Sequence, residues 1–248
     1  VRNYYGEEHF IYASELNNLG ALYHVMGNYD KAESLYLKAA DIRKKIFGEA
    51  HPAYASSLGN LALLYSELGI SEKAADLFER SVNMTESALG KDHPDLAAVM
   101  NNAGLFYMDE GMYEKAESFF LRASEIRKKV YGIEHPDLAV TLNNLALCRA
   151  GTGKYEEAES SCREALSIIE KSKGASGSEY SSCLNNLASL LAEKGDHGTA
   201  LEMMLKSLEI TEKVLGNSHP DYAAVLDNLA LCYIKTGEYE KASSAFSR

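Results

Sequence analysis

The chain has 248 residues, 46% of them hydrophobic, and 25 basic against 36 acidic side chains leave a formal charge of −11. This is apolar enough to bury a core, and too acidic for a nucleic-acid surface or an anionic-lipid patch, both of which need clustered lysine and arginine. No apolar run approaches the ~20 residues of a membrane helix, and four cysteines (Cys148, Cys162, Cys183, Cys232) without a CxxC pair make no disulfide framework or structural zinc site and point to a reducing, cytoplasmic compartment.

In chain order the elements repeat. The first unit, 10–48, opens at His9-Phe10 and carries Asn17-Asn18-Leu19, Gly27, Ala32 and a closing Gly48. The second, 52–90, opens at His51-Pro52 and repeats each landmark 42 residues later, with Gly59-Asn60-Leu61, Gly69, Ala74 and Gly90. Pro52 suits a first helical position, where its missing N–H would be unpaired anyway. Leu58, Leu61, Ala62 and Tyr65 then make an amphipathic stripe. Gly69 ends this helix in a left-handed conformation, Ser71 is expected to cap a second helix, and Ala74, Leu77, Phe78, Ser81, Val82 and Leu89 follow at helical spacing before Gly90. The small Ala74 marks the close approach of the paired helices. Units 94–132 and 136–174 repeat this from His93-Pro94 and His135-Pro136, with Asn101-Asn102 and Asn143-Asn144. Unit 178–216 carries Asn185-Asn186 but replaces His-Pro by Gly177-Ser178, where Ser178 is expected to cap the helix. The last, 220–248, opens at His219-Pro220, carries Asp227-Asn228 and is truncated. A helix pair cannot bury its stripe alone, so the expected fold is all-α: about six tandem helix-turn-helix units in one array over 1–248, a superhelical α-solenoid with a concave groove and no single central core.

The pattern Leu16-x-x-Leu19-Gly20-x-x-Tyr23, then Gly27-x-Tyr29, Ala32, Tyr36 and Ala39, resembles the tetratricopeptide repeat (TPR). The 42-residue period, with Gly-x-x-His-Pro between units and Asn-Asn-Leu in the first helix, is similar to the repeats of kinesin light chain. Units four and five depart from it. Arg149 and Leu191 replace the aromatic of Tyr23, Tyr65, Tyr107 and Tyr233; Cys162 and Met204 replace that of Tyr36, Phe78, Phe120 and Phe246; and His197 stands where Tyr29 does. Their junction is expected to be the softest. Val1–Tyr5 aligns with Arg43–Phe47, the tail of a second helix, and Arg248 with Lys206, midway along one, so the chain reads as a piece of a longer array.

The resemblance implies a ligand groove along the first helices, onto which it places Asn17, Asn18, Asn60, Asn101, Asn102, Asn143, Asn144, Asn185, Asn186 and Asn228. Asparagine is a poor helix former, and its amide can bond the main chain of an extended peptide or a neighbouring repeat. Ligand contact is the favoured reading for the first of each pair; both readings stand for the second. The remaining groove positions, Ser14, Ala21, Ser56, Leu63, Ala98, Leu105, Val140, Leu147, Ser182, Ser189, Ala224 and Leu231, are small or mildly apolar. The lysines of chaperone-binding TPR clamps are missing, so an extended peptide with small or apolar side chains fits better. The histidines heading the helices are read as caps and not as metal ligands, since successive repeats lie about 10 Å apart. Arg43-Lys44-Lys45 and Arg127-Lys128-Lys129 are read as cations complementing the ends of second helices, and Cys148 and Cys232 as core. No phosphate loop, nucleophile elbow or HExxH occurs. The expectation is a non-enzymatic, cofactor-free scaffold or adaptor for a protein or peptide. The rivals are a regulatory arm of a larger enzyme, such as a signalling ATPase or caspase-like protease, and a spacer that self-associates through its terminal repeats.

Overall fold

A computed structural model of the chain describes residues 9–247, so the alignments of Val1–Tyr5 and Arg248 lie outside the described residues. Among these there are twelve helices and no strand: α1 (Phe10–Val25), α2 (Tyr29–Phe47), α3 (Pro52–Glu67), α4 (Ser71–Leu89), α5 (Pro94–Asp109), α6 (Tyr113–Tyr131), α7 (Pro136–Gly151), α8 (Tyr155–Lys173), α9 (Ser178–Glu193), α10 (His197–Leu215), α11 (Pro220–Lys235) and α12 (Tyr239–Phe246). Odd-numbered helices are the first of each pair; α1, α3, α7, α9 and α11 pack on the second helix of their own repeat, and α3, α5, α9 and α11 on that of the repeat before. The chain divides into two compact units, Val1–Ile126 and Arg127–Arg248.

Local chemistry sets the helix ends. His51 is an N-cap whose Nδ1 accepts the N–H of Ala53 at 3.1 Å, the bond an aspartate cap would make, and Pro52 follows at the first position. His9, His93, His135 and His219 do the same for their helices, so the junction-capping reading holds. Gly69, at φ +69, closes α3: its own N–H reaches the Ser66 carbonyl and that of Ile70 the Tyr65 carbonyl. Two expected caps are displaced by one residue. Ser71 is the first residue of α4, behind an Ile70 N-cap, and its hydroxyl bonds Glu110. Ser178 likewise occupies the proline position behind a Gly177 N-cap and bonds Glu179.

Ala32, Ala74, Ala116, Ala158 and Ala200 are wholly buried between paired helices, as a close-approach position requires. Gly104 is tighter still: a Cβ there would stand 2.7 Å from the Phe120 ring. Apolar burial is spread along the array. One cluster joins Ala13, Leu16, Ala39 and Ile42; another runs from Ala146 to Ala245 and takes in Cys162, Met204 and Cys232. Cys148 and Cys232 are core residues.

Candidate functional site

Within the first unit α1, α3 and α5 lie side by side; within the second, α7, α9 and α11 do. The expected groove positions Ser14, Ala21, Ser56, Leu63, Ala98, Leu105, Val140, Leu147, Ser182, Ser189, Ala224 and Leu231 are all at least partly solvent-exposed.

The asparagines form an inter-repeat ladder with gaps. Asn60 donates through Nδ2 to Asn17 Oδ1 at 2.7 Å, and Asn186 to Asn143 Oδ1 at 3.1 Å. Asn101 and Asn144 are each engaged as well. Asn18 is exposed. The ladder breaks twice. Asn102 stands opposite Gly59, which has no side-chain amide to offer, and no hydrogen bond to the Asn102 side chain occurs among the described residues. Asn228 does not reach Asn185, which is 7% exposed and whose Oδ1 is buried without a partner.

A second device separates the same junctions. In the second helix of repeat one, Arg43 Nη1 reaches the first turn of the next repeat and donates to the Ala53 carbonyl at 3.2 Å and to Ser57 Oγ at 2.8 Å. Arg127, 8% exposed, does the same at the junction of repeats three and four, donating to the Asp137 carbonyl at 2.7 Å and to Thr141 Oγ1. Burial lowers the pKa of both guanidinium groups, as expected for cations taken from water and held by neutral acceptors. These arginines are clasps between repeats, a correction to the helix-end reading; the last-turn cations are the lysines Lys44, Lys45, Lys128 and Lys129. Between repeats four and five the corresponding pair is Ile169 and Cys183, both buried. Between repeats two and three it is Thr85 and Val99, and between five and six Thr211 and Val225.

Two cavities lie at the open junctions, where clasp and ladder are both missing, and a third, of about 310 Å³, lies between repeats four and five beside Ala150, Tyr155, Cys162 and Asn186. A cavity of about 300 Å³ lies between repeats two and three, lined in part by Gly59, Asn60, Thr85, Asp95, Ala98 and Val99, with Asn102 beside them. A cavity of about 140 Å³ lies between repeats five and six, lined at equivalent positions by Asn185, Asn186, Thr211, Asp221, Ala224 and Val225. Asn185 in place of Gly59 puts a larger side chain into the second. A larger cleft, about 610 Å³, lies at the clasped junction of repeats one and two, between α2 and α4 over Tyr54, Leu58 and Tyr65, and contains none of the ladder asparagines. The missed signal was in the sequence: Arg43, Thr85, Arg127, Ile169 and Thr211 vary in step with Ser57, Val99, Thr141, Cys183 and Val225.

Among the described residues no group of three or more His, Cys, Asp or Glu side chains could hold a metal ion, and no helix is long and apolar enough to cross a membrane. Burial pushes the Cys162 thiol up to about 12 and the Cys183 thiol up to about 11, which leaves them protonated and unreactive at neutral pH.

Solved structures resemble this fold. BtubC (BKLC) from P. vanneervenii is 25% identical, with a TM-score of 0.73 over 88% of this chain and 86% of that one. The putative kinesin light chain TPR-like repeats of Podosopora anserina are 23% identical, with a TM-score of 0.67 over 79% and 93%. Pseudomonas aeruginosa PilF is 19% identical, with a TM-score of 0.65 over 94% and 88%. No curated protein sequence matches. The tetratricopeptide repeat profile matches residues 11–87, 95–171 and 180–248. Together with stacked helix pairs of this period, that match means that the chain belongs to the tetratricopeptide repeat family.

Proposed function

We propose that this chain is a non-catalytic scaffold or adaptor that holds an extended segment of a partner protein along its first helices. Tetratricopeptide repeats are generally interaction modules. The observation that carries the reading is the pair of open junctions, where a cavity lies beside the part-exposed Asn60, Asn102 and Asn186 among small side chains. A peptide main chain offers the alternating N–H and C=O groups that asparagine amides complete. Amides bonded in the ladder keep capacity for a ligand, because each such bond uses one donor of Asn60 or Asn186 and one lone pair of Asn17 or Asn143. The charge of −11 disfavours nucleic acid and anionic membranes as partners, and four free, buried cysteines suit the reducing cytoplasm.

The test is selection of random linear peptides on the immobilised chain, repeated with the double variant Asn102→Ala, Asn228→Ala. Neither side chain has a hydrogen-bond partner among the described residues, so the variant should keep its helicity by circular dichroism. Peptides enriched by the wild type and lost by the folded variant support the groove; equal enrichment by both would move the binding face elsewhere. A second reading, self-association, is favoured by the exposed Tyr239 and Phe246 of α12 and Ile234 of α11, and concentration-dependent light scattering tests it.

A further inference from the structure

The two closed junctions show what fills this space. At each, a guanidinium bonds the first-turn carbonyl of the next repeat, Ala53 or Asp137, and a hydroxyl one turn on. At the open junctions the equivalent residues are Asp95 with Val99 and Asp221 with Val225, and all four line the cavities. Buried Thr85 and Thr211 stand where the arginines would be, Thr211 bonded to Ser181, and a cavity opens beside each of them.

Charge and hydrogen bonding say what would replace it. Each cavity has a carboxylate on its wall: the Asp95 side chain is 72% exposed and that of Asp221 61%. The His93 and His219 Nδ1 atoms accept the Asp95 and Asp221 N–H groups and stand only 3.8 and 3.7 Å from their carboxylate oxygens, so the imidazoles border these carboxylates without donating a hydrogen bond to them. An anion finds no site at these helix starts. Pro94 and Pro220 have no N–H, the histidine caps take the next one, and the Leu96 and Tyr222 N–H groups bond the cap carbonyls. In the second cavity the orphaned Asn185 Oδ1 is a buried acceptor in need of a donor.

We infer that the cavities between repeats two and three and between repeats five and six are receptors for arginine side chains of a bound peptide, each guanidinium taking the place that Arg43 and Arg127 hold within the chain. Asp95 and Asp221 supply the countercharge, Asn185 Oδ1 accepts a further N–H in the second site, and Gly59 leaves the first the roomier. The planar five-donor fork suits this set of acceptors better than the single ammonium point of lysine. The inference rests on the peptide-groove reading and gives that peptide two basic anchors, in departure from the small or apolar side chains expected from the sequence.

The probe is N-acetyl-arginine N-methylamide, titrated against its neutral isostere N-acetyl-citrulline N-methylamide, with the Ala98 and Ala224 methyl signals as reporters. The arginine probe should shift both methyls and saturate with Kd of about 1–10 mM, as for a weak fragment, and the citrulline probe should bind at least ~5-fold weaker, the loss of a charge-assisted contact. Asp95→Asn should abolish the preference at Ala98 and keep it at Ala224; Asp221→Asn should do the reverse. Thr85→Arg with Val99→Ser installs a clasp and should silence Ala98 alone; should that variant not fold, the exposed-site Asp95→Asn carries the test. Free arginine keeps the same net charge as the blocked probe, its α-ammonium and α-carboxylate offsetting each other, and should bind no more tightly; tighter binding would assign the sites to a free amino acid and overturn the peptide assignment. No shift, equal shifts with citrulline, or a preference that survives Asp95→Asn and Asp221→Asn overturns the inference. The groove reading falls separately: peptide selection lost with Asn102→Ala, Asn228→Ala but without arginine preference keeps the groove and removes these anchors.

Discussion

Truncating the Arg127 clasp tests whether junctions are held individually. Arg127→Ala removes two hydrogen bonds from a buried cation, one to the Asp137 carbonyl at 2.7 Å and one to Thr141 Oγ1. Bonds to charged groups contribute about 1.5–3 kcal/mol each. The loss is offset because the guanidinium no longer needs to be desolvated, and because Thr141 Oγ1 keeps a bond to the Asp137 carbonyl at 3.3 Å, so no hydroxyl is orphaned. The expected net cost is about 2–3 kcal/mol, felt at the start of α7. An array opens locally, so the readout is amide exchange at Thr141 and Leu142, expected to quicken by about 30- to 150-fold, with amides of α11 unchanged. Arg127→Met restores the stem without the donors and should recover no more than ~1 kcal/mol. A change below ~0.5 kcal/mol in the alanine variant, or full recovery by methionine, would refute the view that hydrogen bonding closes this junction.

Three further outcomes are expected. Exchange should be fastest, among core amides, at the junction of repeats four and five, where Arg149, Cys162, Leu191 and Met204 replace aromatics; uniform protection along the array would contradict this. Cys162 and Cys183, buried and with thiols pushed up to about 12 and about 11, should resist alkylation at pH 8 until urea unfolds the chain. The Tyr65 phenol, pushed from 10.0 to about 12 first by burial and then by its hydrogen bond to Glu33, keeps its proton when folded while the unfolded phenol ionises. Its contribution to stability is therefore intact below pH 10 and is lost as pH rises towards 12, and Glu33→Gln should lower the titration midpoint read from phenolate absorbance.

Much of the fold was legible because its signals are local. His-Pro at a fixed step marks each helix start, and the histidine caps the residue two places on; the glycine after each first helix permits the positive φ that ends it. Ser71 and Ser178 misled by one position, because serine favours an N-cap in general while Ile70 and Gly177 occupy that place here. The clasps were harder to see. Arg43 and Ser57 are fourteen residues apart across a loop, and helix periodicity relates no such pair. Arg43 and Lys44 look alike as neighbouring cations, yet one turns into the junction while the other pairs with Glu49 in solvent at 2.5 Å.

The proposed receptor role accounts for features of the two open junctions that simple loss of the arginine would not. Loss of a clasp by drift would leave its acceptors behind. Here the acceptor changed with the donor: Ser57 and Thr141 face arginines, whereas Val99 and Val225 stand where arginine is absent. An apolar filling of this one position was also available, as buried Ile169 with Cys183 shows, and neither open site has it. Both instead broke the asparagine ladder at the same place, by different means: Gly59 removes an amide, and Asn185 is kept with its carbonyl oxygen unsatisfied. A buried acceptor without a donor costs about 1–3 kcal/mol. In a quasi-one-dimensional array that cost stays at one junction and the rest of the stack tolerates it. A ligand donor entering the site would return it as binding energy.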